Sequence, residues 1–292
     1  RKMTLEKKHN LTGWAFLAPA TFLIAVFSFW PMIKALVLSF QTGKGRNMQM
    51  AGFTNYIRMF QDDVFIQSIK NTFFYFILQV PIMLVVALVL ACILNKKDLR
   101  FKGFFRTMIF VPCTTSLVAY SIIFRSLFAN NGLVNYVLVN IGILDKPYNF
   151  LTQPFAAKMV ILLGLLWRWT GYNMVFFLSG LQNIEYSVYE AAKIDGASAI
   201  QTFFKITVPL LKPTILLTAI MSTNGTLQLF DESVNLTDGG PANASISMSH
   251  YIYNLCFKYV PNFGYAAAMS FFILLLVAVL AFIQMRVGDK RD

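Results

Sequence analysis

The chain has 292 residues, of which 57% are hydrophobic and only 13% are charged. Because soluble domains carry about 25% charge, this composition excludes an ordinary soluble domain and indicates an integral membrane protein. The net charge of +12 comes from Lys and Arg in short segments beside apolar runs, which favours membrane orientation over nucleic-acid binding. The three cysteines form no CxxC pair and the two histidines are isolated, which argues against a disulfide framework or a zinc site.

Six apolar runs are long enough to cross a bilayer, which requires about 20 residues of helix. Prolines fall in or beside several of them, and neighbouring helices can satisfy the carbonyls that these prolines leave free. We therefore predict an all-α, polytopic membrane protein with six transmembrane helices. The predicted spans are 13–38, 71–94, 104–128, 156–180, 210–230 and 265–285.

The basic residues alternate in density between successive loops, and this alternation predicts the orientation. Residues 129–154 contain one Lys, and residues 231–264 also contain one, whereas the loop 41–70 is mixed in charge. The remaining segments are rich in Lys and Arg, so we expect both termini, 1–12 and 286–292, to be cytoplasmic. The basic residues that carry this prediction are Arg1, Lys2, Lys7, Lys8, Lys96, Lys97, Arg100, Lys102, Arg106, Lys193, Lys205, Lys212, Arg286, Lys290 and Arg291.

The polar stretch 185–209, between the fourth and fifth spans, predicts two short helices joined at Gly196, a residue that can adopt a positive φ. Ser198 and Gln201 have the spacing of a capping box. Pro209 and Pro213 stand where a fifth span would begin, at positions that tolerate a missing N–H. From the residues alone, this stretch is either a connecting turn or a docking surface on the cytoplasmic face.

The same stretch resembles the EAA loop of permease subunits of binding-protein-dependent ABC importers. In that family the loop docks as a coupling helix into a cleft of the ATP-hydrolysing subunit, and the resemblance implies this role here. Glu185 departs from the pattern, since many relatives have proline at that point. The residues that match the family pattern are Glu190, Ala191, Ala192, Asp195, Gly196, Ala197, Ile206 and Pro209.

Further stretches extend the resemblance over about 250 residues, namely 52–76, 166–184, 236–245 and 263–270. They are similar to the carbohydrate-uptake branch, which includes maltose, multiple-sugar and glycerol-phosphate permeases. The resemblance implies a single permease domain over 13–285 in a prokaryotic cytoplasmic membrane. It also implies four kinds of partner: the lipid bilayer, a second homologous permease, two ATPase subunits and an extracellular or periplasmic solute-binding protein.

The chain contains no GxxxxGK[ST] phosphate loop, the motif that cradles nucleotide phosphates. We therefore expect a transport subunit that is not itself an enzyme and has no catalytic residue, metal or cofactor of its own. The resemblance implies that the partner ATPase uses the ATP and Mg²⁺.

Polar residues inside spans are costly and mark solute paths or helix contacts. The resemblance places the solute path between the third, fourth and fifth spans, at the interface with the second permease. Amides, hydroxyls and aromatic faces suit a neutral polyhydroxyl ligand. The residues that we expect along the path are Ser116, Tyr120, Trp169, Tyr172, Asn173, Asn224 and Gln228.

Arg168 is the one charge deep in a predicted span. It could pair with Asp231 or Glu232, reach a backbone carbonyl, or stand in a wet cavity. An anion-binding role for Arg168 would favour a phosphorylated polyol such as glycerol phosphate instead of a neutral sugar. Two further classes stay open from the sequence: a self-contained secondary transporter, for which no inverted repeat is visible, and a membrane scaffold without a transport role.

Overall fold

The structure is a computed structural model that describes residues 5–44, 47–96 and 98–288. Several basic residues of the orientation prediction, among them those of 1–4 and 289–292, lie outside the described residues. The chain divides into two compact units. One comprises Arg1–Gln61 and Ile252–Phe272, and the other comprises Asp62–Tyr251 and Ile273–Asp292.

The first unit begins with an apolar rod made of α1 (Leu5–Ile24), a π-helical turn (Ala25–Phe29) and α2 (Trp30–Ser39). The rod is helical from His9 to Ser39, long enough to cross a membrane, and its apolar side chains are exposed. Pro31 explains the π turn, because a proline ring cannot donate and crowds the preceding turn. A wider i→i+5 turn accommodates such a disruption.

The rest of the first unit is short and irregular. An antiparallel hairpin, β1 (Gln41–Lys44) with β2 (Asn47–Met50), is followed by α3 (Thr54–Met59). The buried amide of Asn55 donates to the carbonyls of Ser39 and Gln41 at 2.9 and 2.8 Å. These bonds satisfy acceptors at the end of α2 that the helix leaves without partners. A π-helical segment, Asn254–Lys258, and the beginning of the last helix complete this unit.

The second unit holds most of the helices, and they fall into three groups along the chain. The first group is α4 (Asp63–Asn95), α5 (Lys102–Thr114), α6 (Leu117–Leu127), α7 (Leu133–Asn140) and α8 (Pro154–Gln182). The second group is α9 (Tyr186–Ile194), α10 (Ala199–Thr202), a π-helical turn (Phe203–Thr207), α11 (Val208–Leu210) and α12 (Lys212–Leu227). The third group is α13 (Asp231–Thr237), α14 (Met248–Tyr253) and α15 (Phe263–Gly288). The last two residues of α14 and the first part of α15, up to Phe272, belong to the first unit.

Two apolar cores stabilise the second unit. The α4–α8 core joins Ala87 and Ala91 of α4 to Met174, Phe177 and Leu181 of α8, and Leu211 packs on it. The small alanines let the two helices approach closely, as transmembrane helices commonly do. The Tyr120 core lies around a fully buried tyrosine. Its other buried members are Tyr75, Phe124, Val160, Ile161, Leu165, Leu229 and Leu236.

Among the described residues, four helices are long and apolar enough to cross a membrane, and the number is six if each of two bent pairs counts as one span. The first bent pair corresponds to the third predicted span. In the second pair only α12 corresponds to the fifth predicted span, and Ala199–Leu210 lies almost entirely in the predicted inter-span segment. The helices α5 and α6 meet at 99° around Thr115 and Ser116, and Ala199–Leu210 meets α12 at 69° around Leu211. Hydropathy averaged over a span does not show these bends, although Pro112 stands three residues before the first break and Lys212 and Pro213 follow the second.

The second predicted span begins eight residues earlier in the structure, at Asp63, and the reason is a helix cap. The side chain of Asp62 accepts hydrogen bonds from the backbone N–H groups of Val64 and Phe65. Tyr251 donates its hydroxyl to the other carboxylate oxygen of Asp62 at 2.7 Å. An aspartate at the N-cap stabilises a helix start by about 1 kcal/mol, so α4 extends beyond its apolar stretch.

We predict that Gly171→Ala destabilises the protein, because α5 and α8 touch at this glycine. A Cβ there would lie 1.9 Å from the carbonyl oxygen of Ile109, so backbone would have to move. Overpacking of this kind costs about 1–3 kcal/mol. Thermal denaturation of the purified protein in detergent should show a lower midpoint for this variant.

The matched control is Gly103→Ala, an exposed helical glycine of α5 with nothing within 4 Å of the position that the added methyl group would occupy. Alanine has the higher helix propensity, by about 1 kcal/mol, so the control should denature at the wild-type temperature or above it. Equal midpoints for the two variants would contradict the close α5–α8 contact.

Candidate functional site

A cavity of about 310 Å³ opens between α4, α8, α12 and the start of α13. Its size is at the lower end of the range for small-molecule sites, which is about 300–1,000 Å³. The lining combines apolar, aromatic, amide, hydroxyl and carboxylate side chains. The polar and aromatic members are Gln79, Trp169, Tyr172, Asn173, Ser222, Thr226, Gln228, Phe230, Asp231 and Glu232.

The amides of the cavity are held in place by hydroxyls of α12. Thr226 donates to the side-chain oxygen of Gln79 at 2.6 Å, and Ser222 donates to that of Asn173 at 3.3 Å. Ser222 and Thr226 are four residues apart, so both project from the same face of α12. With their oxygens engaged, the amides have defined orientations, and preorganised donors and acceptors are what a polyhydroxyl ligand requires.

The structure brings together four of the seven predicted path residues, and three lie elsewhere. Trp169, Tyr172, Asn173 and Gln228 line the cavity. Asn224 is exposed outside the lining and accepts a hydrogen bond from the Gln228 amide.

The other two predicted path residues belong to α6. Ser116 is the N-cap residue of that helix, and its side chain makes no capping bond. Tyr120 is fully buried in the Tyr120 core, stacked on Trp167 with ring centroids 6.0 Å apart. Neither residue lines the cavity.

Sequence reasoning did not single out Gln79, which contributes a buried amide from the middle of α4. The sequence feature that could have indicated Gln79 is that it is the only amide within the apolar run 73–94. A lone polar residue in a transmembrane run marks a helix contact or a solute path. Gln79 serves the first role through Thr226 and lines the cavity as well.

Arg168 reaches backbone carbonyls, one of the alternatives that the sequence left open. Its guanidinium donates to the carbonyl of Thr115 at 2.7 Å and to that of Cys113 at 3.5 Å. These carbonyls end α5 at the break before α6, where a helix leaves acceptors without partners and a positive charge is favourable. Within the part of the chain that the structure describes, no carboxylate lies within 4 Å of this guanidinium, and it does not line the cavity.

Glu232 is a carboxylate in the wall of the cavity, with only 4% of its surface exposed. Burial raises the pKa of the Glu232 carboxyl, and the neighbouring charge of Asp231 acts in the same direction. The backbone N–H of Glu232, the charge of Arg168 and the indole N–H of Trp169 oppose this rise by stabilising the ionised form. Trp169 and Glu232 both line the cavity.

The segment 185–209 forms the two short helices that its sequence predicts. The helix α9 ends in a Schellman motif, in which Ala197 N–H donates to the Ala192 carbonyl and Gly196 N–H to that of Lys193. Gly196 has φ +76°, the left-handed conformation that favours glycine. Ser198 and Gln201 form the complete capping box at the start of α10, as predicted.

Most of the EAA-pattern residues are available to a partner. Glu190, Ala191, Asp195, Gly196 and Pro209 are exposed, Ala197 and Ile206 are half-buried, and Ala192 is buried. Beside them stand two apolar side chains that the pattern does not include, Ile194 and Ile200, which are 85% and 71% exposed. Large exposed apolar side chains beside a polar surface are typical of a protein-interaction surface.

The segment is attached to the second unit through its other face. Phe203 and Val208 pack against the α4–α8 core, and the hydroxyl of Thr207 lies 3.5 Å from that of Tyr189. Leu211, which is fully buried, contacts α8 at Gly180, where an added Cβ would come within 2.8 Å of the leucine side chain. The segment therefore has one exposed face and an opposite face that packs against the α4–α8 core.

Several membrane-length apolar helices, a partly polar cavity and an exposed inter-span segment together form the architecture expected of a membrane transport component. Residues 63–291 match the family described as the binding-protein-dependent transport system inner membrane component. The chain is 51% identical over 292 residues to the lactose transport system permease protein of Rhizobium radiobacter, covering 99% of this chain and 98% of that protein. It is 31% identical to the arabinooligosaccharides transport system permease protein of Halalkalibacterium halodurans, covering 98% of this chain and 90% of that one.

The fold is similar to that of a solved bacterial ABC transporter involved in the import of the acidic polysaccharide alginate. The TM-score is 0.86 at 23% identity, with 98% of both chains covered. The chain thus belongs to the family of inner membrane components of binding-protein-dependent transport systems. Within that family it is a permease of the carbohydrate-uptake branch, and it is a transport subunit, not an enzyme.

Proposed function

We propose that this permease forms half of the translocation path for a neutral sugar or oligosaccharide, and that the cavity beside α12 is its part of that path. The observation that carries the proposal is the lining itself, in which oriented amides and hydroxyls alternate with Trp169 and Tyr172. Such groups offer hydrogen bonds and flat apolar faces to a ligand that carries many hydroxyls and no charge. Lactose is the first candidate, because the relative at 51% identity is a lactose permease.

The phosphorylated-polyol alternative has less support from the site. A phosphate group calls for Arg, Lys or a helix N-terminus, and Arg168 is engaged with the end of α5 instead of the cavity. A self-contained secondary transporter is disfavoured by the membership of a binding-protein-dependent family.

The working complex that we propose contains this chain, a second permease, two ATPase subunits and an extracellular or periplasmic solute-binding protein. ATP and Mg²⁺ would be bound by the ATPase subunits. The segment 185–209 would dock on an ATPase subunit through its exposed face, with Ile194 and Ile200 supplying apolar contact and Glu190 a carboxylate for a basic partner.

We further propose that both termini are cytoplasmic, which places the segment 185–209 on the same side as the ATPase. The alternation of basic residues along the sequence supports this orientation.

The sugar path can be tested with alanine variants of Asn173 and Gln228 in proteoliposomes that contain the complete complex and its binding protein. Loss of a hydrogen bond to the ligand costs about 1–3 kcal/mol, which corresponds to a fall of about 5- to 150-fold in uptake efficiency. Radiolabelled lactose uptake, measured as kcat/KM, gives the result directly.

Gln153→Ala is the matched control, since this amide is exposed at the N-cap of α8 and makes no capping bond. It should transport lactose like the wild type. Wild-type kinetics for both cavity variants would contradict the proposed path, and an absence of lactose uptake by the wild-type complex would contradict the proposed substrate.

Coupling can be tested with Gly196→Glu. The substitution puts a charge on the docking face and a side chain on a backbone at φ +76°, and an unpaired charge buried in an interface costs several kcal/mol. We expect the variant to reach the membrane and to retain the second permease, but to lose the ATPase subunits in a detergent pull-down or to hydrolyse ATP without moving sugar.

Gly142→Glu is the control for backbone strain. Gly142 also has φ +76° and open space around it, but it follows α7, in a segment that we place on the opposite face of the membrane. The control should retain the ATPase subunits and transport. If the Gly196→Glu complex keeps its full ATPase content and wild-type uptake, the segment 185–209 does not dock on the ATPase and only connects two spans.

The orientation can be tested with single cysteines in a cysteine-free background. Lys2→Cys and Lys290→Cys should react with an impermeant maleimide only from the cytoplasmic side, whereas Asp145→Cys, in the loop after α7, should react from outside. Labelling of either terminal cysteine in intact cells would refute the proposed topology.

A further inference from the structure

The charge of the cavity has one sign. Asp231 and Glu232 line it, whereas no Lys, Arg or His does among the residues that the structure describes. The nearest candidate for a balancing cation, Arg168, directs its guanidinium to the carbonyls of Thr115 and Cys113 and lies outside the lining. An anionic ligand in this cavity would lose its hydration without gaining an ion pair, which is unfavourable in a partly enclosed site.

Glu232 is the better placed of the two carboxylates to act on a ligand. Its side chain is buried while Asp231 is half-buried, so solvent screens its charge less. A carboxylate has several lone pairs that can accept hydrogen bonds from sugar hydroxyls. In its ionised form, the Glu232 side chain can accept hydrogen bonds from a neutral sugar and repels a negatively charged one.

We propose that Glu232 is a specificity-determining residue of this permease, which admits uncharged sugars to the cavity and excludes sugars that carry a carboxylate or a phosphate. This inference rests on the proposed function, because it assigns a charge preference to the same cavity. The fold does not set that preference, since a transporter of similar fold is involved in the import of an acidic polysaccharide. The side chains that line the cavity must therefore decide it.

The test compares three ligands that differ at a single carbon atom. They are lactose, the uronate in which the C6 hydroxymethyl group of galactose is oxidised to a carboxylate, and the corresponding 6-amino sugar. Competition with tritiated lactose is measured on the purified complex in detergent without the binding protein, so that the receptor's own selectivity does not enter. For the wild type we expect the uronate to bind at least about tenfold more weakly than lactose, a factor that corresponds to 1.4 kcal/mol.

The variant that tests the residue is Glu232→Gln, which keeps the size of the side chain and one oxygen acceptor but removes the charge. We expect the affinity ratio of lactose to the uronate to shrink to about threefold or less, because the charge that repels the uronate is removed. The ratio is the readout, since the affinity for lactose itself also depends on the acceptors of this side chain. Glu232→Asp retains the charge and should retain the discrimination. Asp145→Asn, which removes an exposed carboxylate far along the chain from the cavity, should behave like the wild type.

The outcomes separate this inference from the proposed function. If lactose binds and Glu232→Gln still discriminates like the wild type, Glu232 does not set the preference, although the sugar path stands. If the uronate binds the wild type as tightly as lactose, the inference fails in the same way. If lactose does not bind the wild type at all, the proposed substrate fails and the inference falls with it.

A measurement on the unmodified protein covers the case in which Glu232→Gln does not assemble. Two carboxylates and no cation in the lining should favour the 6-amino sugar over the uronate by at least about tenfold in the wild type. Equal affinities for these two ligands, or a preference for the uronate, would overturn the proposal without any variant.

Discussion

The close packing of α4 against α8 is the constraint on which the rest of the second unit depends. In a bilayer, lipid tails are as apolar as leucine, so helices associate through fit and not through exclusion from water. Ala87 and Ala91 provide that fit against Met174 and Phe177. The same two helices continue past this core to supply Gln79 and Asn173 to the cavity. A disturbance of the α4–α8 core would therefore move the amides that the site depends on.

The charges inside the second unit are divided between two tasks. Arg168 holds the broken end of α5, where it satisfies carbonyls that would otherwise stand unpaired in a poorly hydrated place. Glu232 lies on the wall of the cavity, which Trp169 also lines. Trp169 stands next to Arg168 in the chain and within cation–π distance of it, with its ring centroid 5.5 Å from the guanidinium carbon. Trp169 thus contacts the guanidinium of Arg168 and also lines the cavity that contains Glu232.

Local features of the sequence predicted local structure well. The capping box at Ser198, the turn at Gly196 and the helix starts beside Pro209 and Pro213 follow from dihedral preferences and hydrogen bonding within a few residues. The bends at Thr115 and Leu211 do not, because each is stabilised by a distant partner: Arg168 for the first and Gly180 for the second. No periodicity within a span carries that information.

The candidate site, too, was predictable where it depends on local sequence and not where it depends on packing between distant helices. Aromatic and amide residues clustered on α8 were visible as a polar interruption of an apolar run, and Trp169, Tyr172 and Asn173 line the cavity together. Tyr120 had the same type of signal, yet it lies in an apolar core, since hydropathy cannot tell which face of a helix meets a neighbour. Glu232 was visible in the sequence only as a possible partner of Arg168, and its place in the cavity wall depends on how α13 packs.

The packing also provides a mechanical route between the segment 185–209 and the cavity. Tyr189 of α9 contacts Thr207, four residues before Leu211, and Leu211 is wedged against Gly180 at the bend that begins α12. Beyond the bend, α12 is one uninterrupted helix as far as Thr226, whose hydroxyl holds Gln79. A helix pivoting at a packed bend moves its far end as a lever. If docking of an ATPase subunit displaces α9, the first cavity contacts to change should be those that α12 makes, Ser222 with Asn173 and Thr226 with Gln79. Those are the hydrogen bonds that orient the cavity amides, so a small rotation of α12 would alter the affinity for sugar.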